Sequence, residues 1–589
     1  MALKLPFPAP AANRARRLPI GLADVAVLGG VAVLFTVLAV LSVGVTAPFG
    51  PGELPKVTTD PANLPYYAGR SLLRMFAALG VSTVFAIGYG YLAAKSRRAA
   101  RVLVPLLDVL QSVPVLGFLS ITITGFIALF PGSLLGLECA SVFAIFTSMA
   151  WNMTFSVYHS FLTVPRDLDE ASRMYHLSRR LRLRRVELPG ATVGLVWNAM
   201  MSMGGAWFFL VASEAITVNN ASYTLPGMGS YMAEAIGAQD YTALAWAVVT
   251  MLVIIIAVDR LFWRPLVAWA ERFKVEDSAS GQVVESAVLN VLRRSAVVAA
   301  VRRAATGVSR RVARSTRRPA SARARDLGAG DAPRAPGRVG RALRSDIFFN
   351  ACLAVAAVAG ICAFVAYVAG QVSVDEVGTI LLDGAFTFIR VVVVVAVSAV
   401  IWTPVGAWIG MSPRASRIAQ TIVQIGASFP ANFLFPFATI LMLRTGFPIE
   451  LGAIPLMALG SQWYILFNSI AGGMAIPNDL REAGAVLGLS RRQRWRALIL
   501  PAIFPAWVTG GIAAAGGAWN ASIVAETVSW GNDTLRAPGL GSDIAAFTAA
   551  GDFPLTVVAI AVMVLFVVGL NRLFWQRLYT LAETRYRLA

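Results

Sequence analysis

Long unbroken apolar blocks, separated by short basic or Pro- and Gly-rich connections, recur along most of the chain. A helix of about 20 residues crosses roughly 30 Å of hydrocarbon, and each block is long enough for that. In the first half the blocks run Val25–Val45, Leu72–Ala94, Val102–Phe130, Ala140–Phe161, Val193–Ile216 and Tyr241–Phe262. In the second they run Ile347–Ala369, Phe386–Ile409, Ile418–Leu443, Leu451–Ile476, Ala506–Val528 and Pro554–Phe574. The pattern predicts an all-α polytopic membrane protein of about 12 transmembrane helices.

The two series match residue by residue as well as in hydropathy. Arg74 corresponds to Arg390, and Ser112-Val113-Pro114 to Ser428-Phe429-Pro430. From Pro165 and Pro477 onward the copies align without a gap. The matched stretches include Gly204-Gly205-Ala206-Trp207 with Gly516-Gly517-Ala518-Trp519, and Arg260-Leu261-Phe262-Trp263 with Arg572-Leu573-Phe574-Trp575. An even number of spans per copy gives two parallel six-helix repeats about an axis along the membrane normal, with a pore expected between them.

Charge then orients the bundle, since Lys and Arg crowd cytoplasmic connections. Lys95, Arg97, Arg98 and Arg101 follow the second span and Arg179–Arg185 the fourth, with Arg414, Arg417 and Arg491–Arg496 at the matching later places. The alternate connections Thr46–Tyr67 and Gln371–Asp383 are poor in Arg. Both termini are therefore expected in the cytoplasm of a prokaryotic cell, with the chain in its inner membrane. This distribution accounts for most of the net charge of +20 without nucleic acid. A mean hydropathy of +0.67 exceeds what a soluble core of this length needs. Lys4, Arg14, Arg16 and Arg17 precede the first block and no small-residue cleavage site follows it, so that block is expected to remain as a helix. Cys139, Cys352 and Cys362 have no metal-ligand spacing, and no metal or disulfide is expected. Residues 1–272 and 346–589 are read as the two repeats. The Arg-, Ala-, Ser- and Gly-rich segment 273–345 between them is read as a cytoplasmic tether; within it Val283–Val301 offers an amphipathic helix on anionic headgroups as one reading, and composition favours the other, a solvated linker throughout.

The loop after the fourth span of each copy, near 165–189 and 477–501, carries the most specific pattern. Pro165 and Pro477 stop the membrane helix, and Asp167, Glu170, Asp479 and Glu482 suit the N-terminal turns of a short new one. Gly488 suits a left-handed closure, and Ser178 and Ser490 suit the cap of a second basic helix ending at Leu188-Pro189 or Leu500-Pro501. Each loop is predicted to be a helix-turn-helix knob.

These loops resemble the EAA loop of ABC importer permeases, a Glu-Ala-Ala start with a Gly four residues later and a closing Leu-Pro. The resemblance implies that Glu170, Ala171, Ser172 and His176 in one copy, and Glu482, Ala483, Gly484 and Gly488 in the other, couple to cytoplasmic ABC ATPase subunits, two copies being expected. Ser172 and His176 depart from the motif, so the two docking sites are expected to be unequal. Pro226-Gly227-Met228-Gly229 and Pro538-Gly539-Leu540-Gly541 are most similar to the nitrate, sulfonate and taurine branch. The resemblance thus implies an import path for a small anion, with a periplasmic or lipid-anchored solute-binding protein as a further partner.

Polar groups inside apolar spans face a bundle interior or a water-filled path. Gln111, Ser112, Trp207, Glu214, Gln424, Ser428, Trp519, Asn520 and Glu526 are the path candidates, with mutual satisfaction between packed helices as the other reading. Arg74 and Arg390 are expected to snorkel to headgroups. No Gly-rich loop ends in Gly-Lys-Ser or Gly-Lys-Thr, so the chain is expected to bind no cofactor, with ATP and magnesium on a partner subunit. His159 and His176 are the only histidines, which leaves little for an enzyme. An ion-gradient-driven secondary transporter with parallel repeats fits the span count equally well, but does not need paired docking loops.

Overall fold

The apolar blocks fold as helices in the computed structural model. It describes residues 56–273 and 346–586, except 113, 114, 116, 118, 176, 219 and 220, along with a few isolated positions at 28–45 and 288–295. The expected span Val25–Val45 and the tether, including Val283–Val301, lie outside the described residues. Two compact units are distinguished, 1–39 with 283–352 and 40–282 with 353–589, and the architecture below is that of the second.

The first copy runs α1 (Leu64–Lys95), α2 (Arg97–Ser112), α3 (Leu119–Leu129), α4 (Leu135–Leu162), α5 (Arg166–Met174), α6 (Arg179–Arg182) and α7 (Leu188–Glu214). It continues through strands β1 (Ala215–Val218) and β2 (Ala221–Thr224) to α8 (Met228–Gly237), α9 (Tyr241–Val258) and α10 (Arg264–Ala270). The second repeats the order with α11 (Asp346–Ala369), α12 (Val374–Met411), α13 (Pro413–Ser428), α14 (Phe435–Thr445), α15 (Ile449–Met474), α16 (Asn478–Val486), α17 (Arg491–Arg494) and α18 (Leu500–Ala525). It ends with β3 (Thr527–Trp530), β4 (Asp533–Arg536), α19 (Leu540–Ala550), α20 (Phe553–Leu570) and α21 (Gln576–Arg585). Among the described residues nine helical stretches are long and apolar enough to cross a membrane.

Two expectations are corrected here. The third span of each copy, expected to be continuous over Val102–Phe130 and Ile418–Leu443, is broken into two pieces, α2 with α3 and α13 with α14. Pro430 follows the second break point and drives Phe429 to an extended φ of −73° and ψ of 124°, because a proline disfavours helix at the residue before it. The fifth span ends at Glu214 or Ala525, short of the expected Ile216 and Val528, and a hairpin follows. Ile216, Thr217, Thr527 and Val528 are β-branched and suit strands, and Gly531 turns the second hairpin at φ +61°. Among the described residues the fold is therefore all-α apart from two short antiparallel pairs, Ala215–Val218 with Ala221–Thr224 and Thr527–Trp530 with Asp533–Arg536.

Within each copy the second, fourth and fifth spans pack together, α1 on α4 on α7 and α12 on α15 on α18. Between copies the third span of one meets the sixth of the other, α13 against α9 and α2 against α20, so the halves interlock along their shared axis. α11 is exposed along the described part of its length, with Val355 68% and Ile361 63% accessible, as an apolar helix facing lipid would be.

Candidate translocation path and coupling knobs

Two cavities lie in succession along the interface between the copies. The one nearer the basic loops, about 410 Å³, is lined by Gln111, Asn152, Gln424, Ser428, Tyr464 and Asn520 among others, and by no charged side chain. The other, about 430 Å³, lies between the hairpins beside Ile216, Val528 and Asn432. α7 and α18 pass both in turn, with Phe208, Phe209 and Asn520 on the first and Val211, Ala212 and Ile523 on the second. Between them the copies are joined by two matched bonds, each reaching to the opposite half. Val115 donates its N–H to Asn520 Oδ1 at 3.2 Å, and Asn432 Nδ2 donates to the Phe208 carbonyl at 3.3 Å. Gly204 and Gly205 let the other half approach, since a Cβ there would stand 3.0 Å from Ser428 Oγ or Tyr464 Oη.

Of the path candidates, Gln111, Gln424, Ser428 and Asn520 line the first cavity. Ser112 ends α2, and its side chain is not among those described. Trp207 and Trp519 are 2% exposed and do not line it; Trp519 packs on Phe388 and Phe566 instead.

Glu214 and Glu526 are fully buried and line neither cavity. Glu214 accepts from Ser71 Oγ at 2.6 Å, Arg74 Nη1 at 2.7 Å and the Gly229 N–H at 2.7 Å. Arg74 also donates to both oxygens of Glu138, which pairs with Arg70 as well. In the second copy Glu526 accepts from Thr387 Oγ1 at 2.9 Å, Arg390 Nη1 at 2.8 Å and the Gly541 N–H at 2.9 Å. Arg74 and Arg390 are thus buried, not snorkelling to headgroups, because each finds its counterion inside. Each arginine also bonds the carbonyl of Pro226 or Pro538, which ties the Pro-Gly-Xaa-Gly segment onto the end of the fifth span. A side chain at Gly227 or Gly539 would overlap the glutamate, and one at Gly229 or Gly541 would overlap the backbone at Val211 or Ser522. The motif's glycines therefore serve close approach. Sequence reasoning missed Glu138, whose signal was an acid at the edge of an apolar block with Glu450 at the matching place.

Near the second hairpin, Arg536 pairs with Asp543 at 2.8 Å. Burial, and then the neighbouring Asp383 carboxyl, push the Asp543 carboxyl up to about 7 against the pull of Arg536.

At the basic end each copy carries the expected knob. Ser178 Oγ accepts the Leu181 N–H at 3.4 Å, and Ser490 forms a full capping box with Gln493. Gly488 closes α16 at φ +62°, and the Leu489 N–H returns to the Gly484 carbonyl at 3.2 Å. The first knob makes the same closing bond, from Leu177 N–H to the Ser172 carbonyl at 3.0 Å. His176 lies outside the described residues. Glu170, Glu482 and Ala483 are exposed and Ala171 half-buried, whereas Ser172 and Gly484 turn inward, so the motif's residues divide between an outer and an inner face. The outer face ends in apolar residues that sequence reasoning missed, Met174 and Tyr175 at 79% and 81% exposed, and Val486 and Leu487 at 87% and 74%.

The knobs are fastened differently. In the first, buried Glu187 pairs with Lys95 at 2.6 Å and Arg182 at 2.9 Å, and Arg182 and Arg173 hold Asp169. In the second, Ile499 and Met411 stand at the matching positions, and Ile499 packs with Ala407, Ile476 and Ile503.

Residues 86–262 and again 402–580 match the family described as binding-protein-dependent transport system inner membrane component. A bicarbonate transport system permease protein of Synechococcus elongatus is 22% identical over 203 residues, 34% of this chain and 66% of the relative. A nitrate import permease protein of Leptolyngbya laminosa is 28% identical over 148 residues, 25% of this chain and 50% of the relative, and a putative ABC transporter permease protein of Methanocaldococcus jannaschii is 24% identical over 159 residues, 27% and 58%. The chain thus spans between half and two thirds of these relatives' length. With two matches that together cover more than half of its residues, the chain belongs to the binding-protein-dependent transport system inner membrane component family.

Proposed function

We propose that this chain forms the whole transmembrane path of an ATP-driven importer for a small anion, with its basic end in the cytoplasm and each knob docked on a separate ATPase subunit. The observation that carries the reading is the pair of matched knobs, whose exposed apolar tips flank the end of the bundle nearest the uncharged cavity. Apolar residues this exposed at a basic, water-facing end call for a protein partner. The secondary-transporter reading gives them no role.

The cavity's chemistry suits a small anion held loosely. Neutral amide and hydroxyl groups such as Gln111, Asn152, Gln424 and Tyr464 can donate to an oxyanion, and without lysine or arginine they do not trap it. The bicarbonate and nitrate permeases among the relatives favour the same substrate class. Capture outside the membrane falls to a solute-binding protein, and both chain ends and the segment 273–345 lie on the cytoplasmic side. The test is gentle purification of the full chain from its native membrane, identification of co-purifying proteins and assay of ATP hydrolysis. A bound active ATPase, lost in a double Val486→Asp, Leu487→Asp variant that still folds, is the expected result. A chain that purifies alone and moves solute down an ion gradient in liposomes would overturn the reading.

A further inference from the structure

A further cavity, about 700 Å³, lies outside the path, between the basic end of α12 and the second knob. Arg481, Arg491 and Arg494 line one side of it and Val405, Trp408 and Trp495 another. None of its lining residues is acidic, and none of the three arginines has an ion-pair partner among the described residues. Trp408 is 63% exposed on a helix long and apolar enough to span the membrane, so the cavity opens at its rim toward lipid.

Comparison with the first copy gives this unbalanced charge a meaning. There, the counterpart of Arg494 is Arg182, which is neutralised by Asp169 and Glu187. In the second copy Asp169 is replaced by Arg481 and Glu187 by Ile499, so both carboxylates are gone and a further cation is added. Arg481, Arg491 and Arg494 are exposed, so water screens part of their mutual repulsion, and an anion seated in the cavity would remove the rest. A phosphate diester matches the guanidinium fork, and tryptophan is the side chain that settles at the boundary of headgroup and acyl chain.

We propose that this cavity binds the phosphate headgroup of an anionic phospholipid from the cytoplasmic leaflet, which fastens the second knob to the bilayer in place of the carboxylates that fasten the first. The orientation comes from the proposed function, but lipid binding is read without ATPase or transport, so each can fail without the other.

The test uses the delipidated full chain in detergent, titrated with phosphatidylglycerol, phosphatidylcholine and inorganic phosphate, with bound lipid counted by native mass spectrometry. The expected result is a tight phosphatidylglycerol site that phosphatidylcholine does not fill and millimolar inorganic phosphate does not empty. Arg481→Asp puts a carboxylate where the first copy has Asp169, within reach of Arg494, so the knob stays folded. Its two-charge change should weaken the lipid roughly thirtyfold, at about a factor of five per charge. Arg494→Gln, a second variant with a smaller perturbation, should weaken it about fivefold. Unchanged phosphatidylglycerol binding in both variants would overturn the proposal. So would displacement of the lipid by inorganic phosphate, which would make the site one for a free anion.

Discussion

The two copies share one geometry and hold it with different chemistry. At the hairpin end the first copy buries Arg70, Arg74, Glu138 and Glu214 together, whereas the second keeps only Arg390 and Glu526. Phe386 replaces Arg70, and Glu450, the match of Glu138, is exposed while its backbone carbonyl still receives Arg390. At the basic end Lys95 and Glu187 give way to Met411 and Ile499. At the hairpin end Arg70 and Glu138 leave the buried cluster together, because a buried charge without its partner costs several kcal/mol. At the basic end, where the second copy's arginines are exposed, Asp169 and Glu187 are both lost and Arg481 is gained. The trade is reversed at one position: Tyr67 and Tyr231 have ring centroids 6.0 Å apart in the first copy, and Asp383 and Asp543 stand at the matching positions in the second. A duplicated chain can therefore keep its backbone and exchange its chemistry where buried contacts are replaced whole, and has more latitude where the charges reach water.

This contrast can be broken most forcefully at the glutamates. Glu526→Gln leaves Arg390 with carbonyls alone and should cost about 3–5 kcal/mol, whereas Glu214→Gln should cost less because Glu138 still faces Arg74. Equal losses of thermal stability in the purified chain would show that the larger cluster gives no protection. Next, Ile499→Ala should cost about 2–5 kcal/mol through a cavity beneath the second knob, with little dependence on salt. Glu187→Gln should cost about 1–3 kcal/mol, and hydrogen exchange should then rise across 166–182. The wild-type first knob should loosen with added salt, because Lys95 and Arg182 are 34% and 27% exposed and so partly screened. The smallest effect concerns pH. Since the folded Asp543 carboxyl titrates near 7, above its unfolded range of about 4, protonation favours the folded state. That contribution is full below about pH 4 and is lost as pH rises through about 7, so Asp543→Asn should flatten this part of the stability profile.

Helix placement and duplication were legible in the sequence because apolar block length and motif spacing are local properties. The knobs were legible too, since Pro477, Ser490 and Gly488 each specify backbone geometry by themselves. What the sequence hid depends on partners far along the chain. Glu214 looks the same whether it faces water or Arg74, which is 140 residues away. Nor does an apolar run reveal that its last residues leave the helix for a hairpin, since Val528 suits both a span and a strand. Met174, Tyr175, Val486 and Leu487 read as ordinary apolar residues of a short helix until the fold shows them with nothing to pack against.

The two matched bonds between the cavities set the polar cost of opening the path. At about 1 kcal/mol each, Val115 to Asn520 and Asn432 to Phe208 together contribute roughly 2 kcal/mol to keeping the halves joined at that level. A partner that binds the parted arrangement about thirty times more tightly than the joined one offsets that amount. In the importer proposed above, the partners at the distant knobs would have to supply this amount together with the cost of parting the apolar residues, such as Val218 and Ile523, that belong to one buried cluster across the copies.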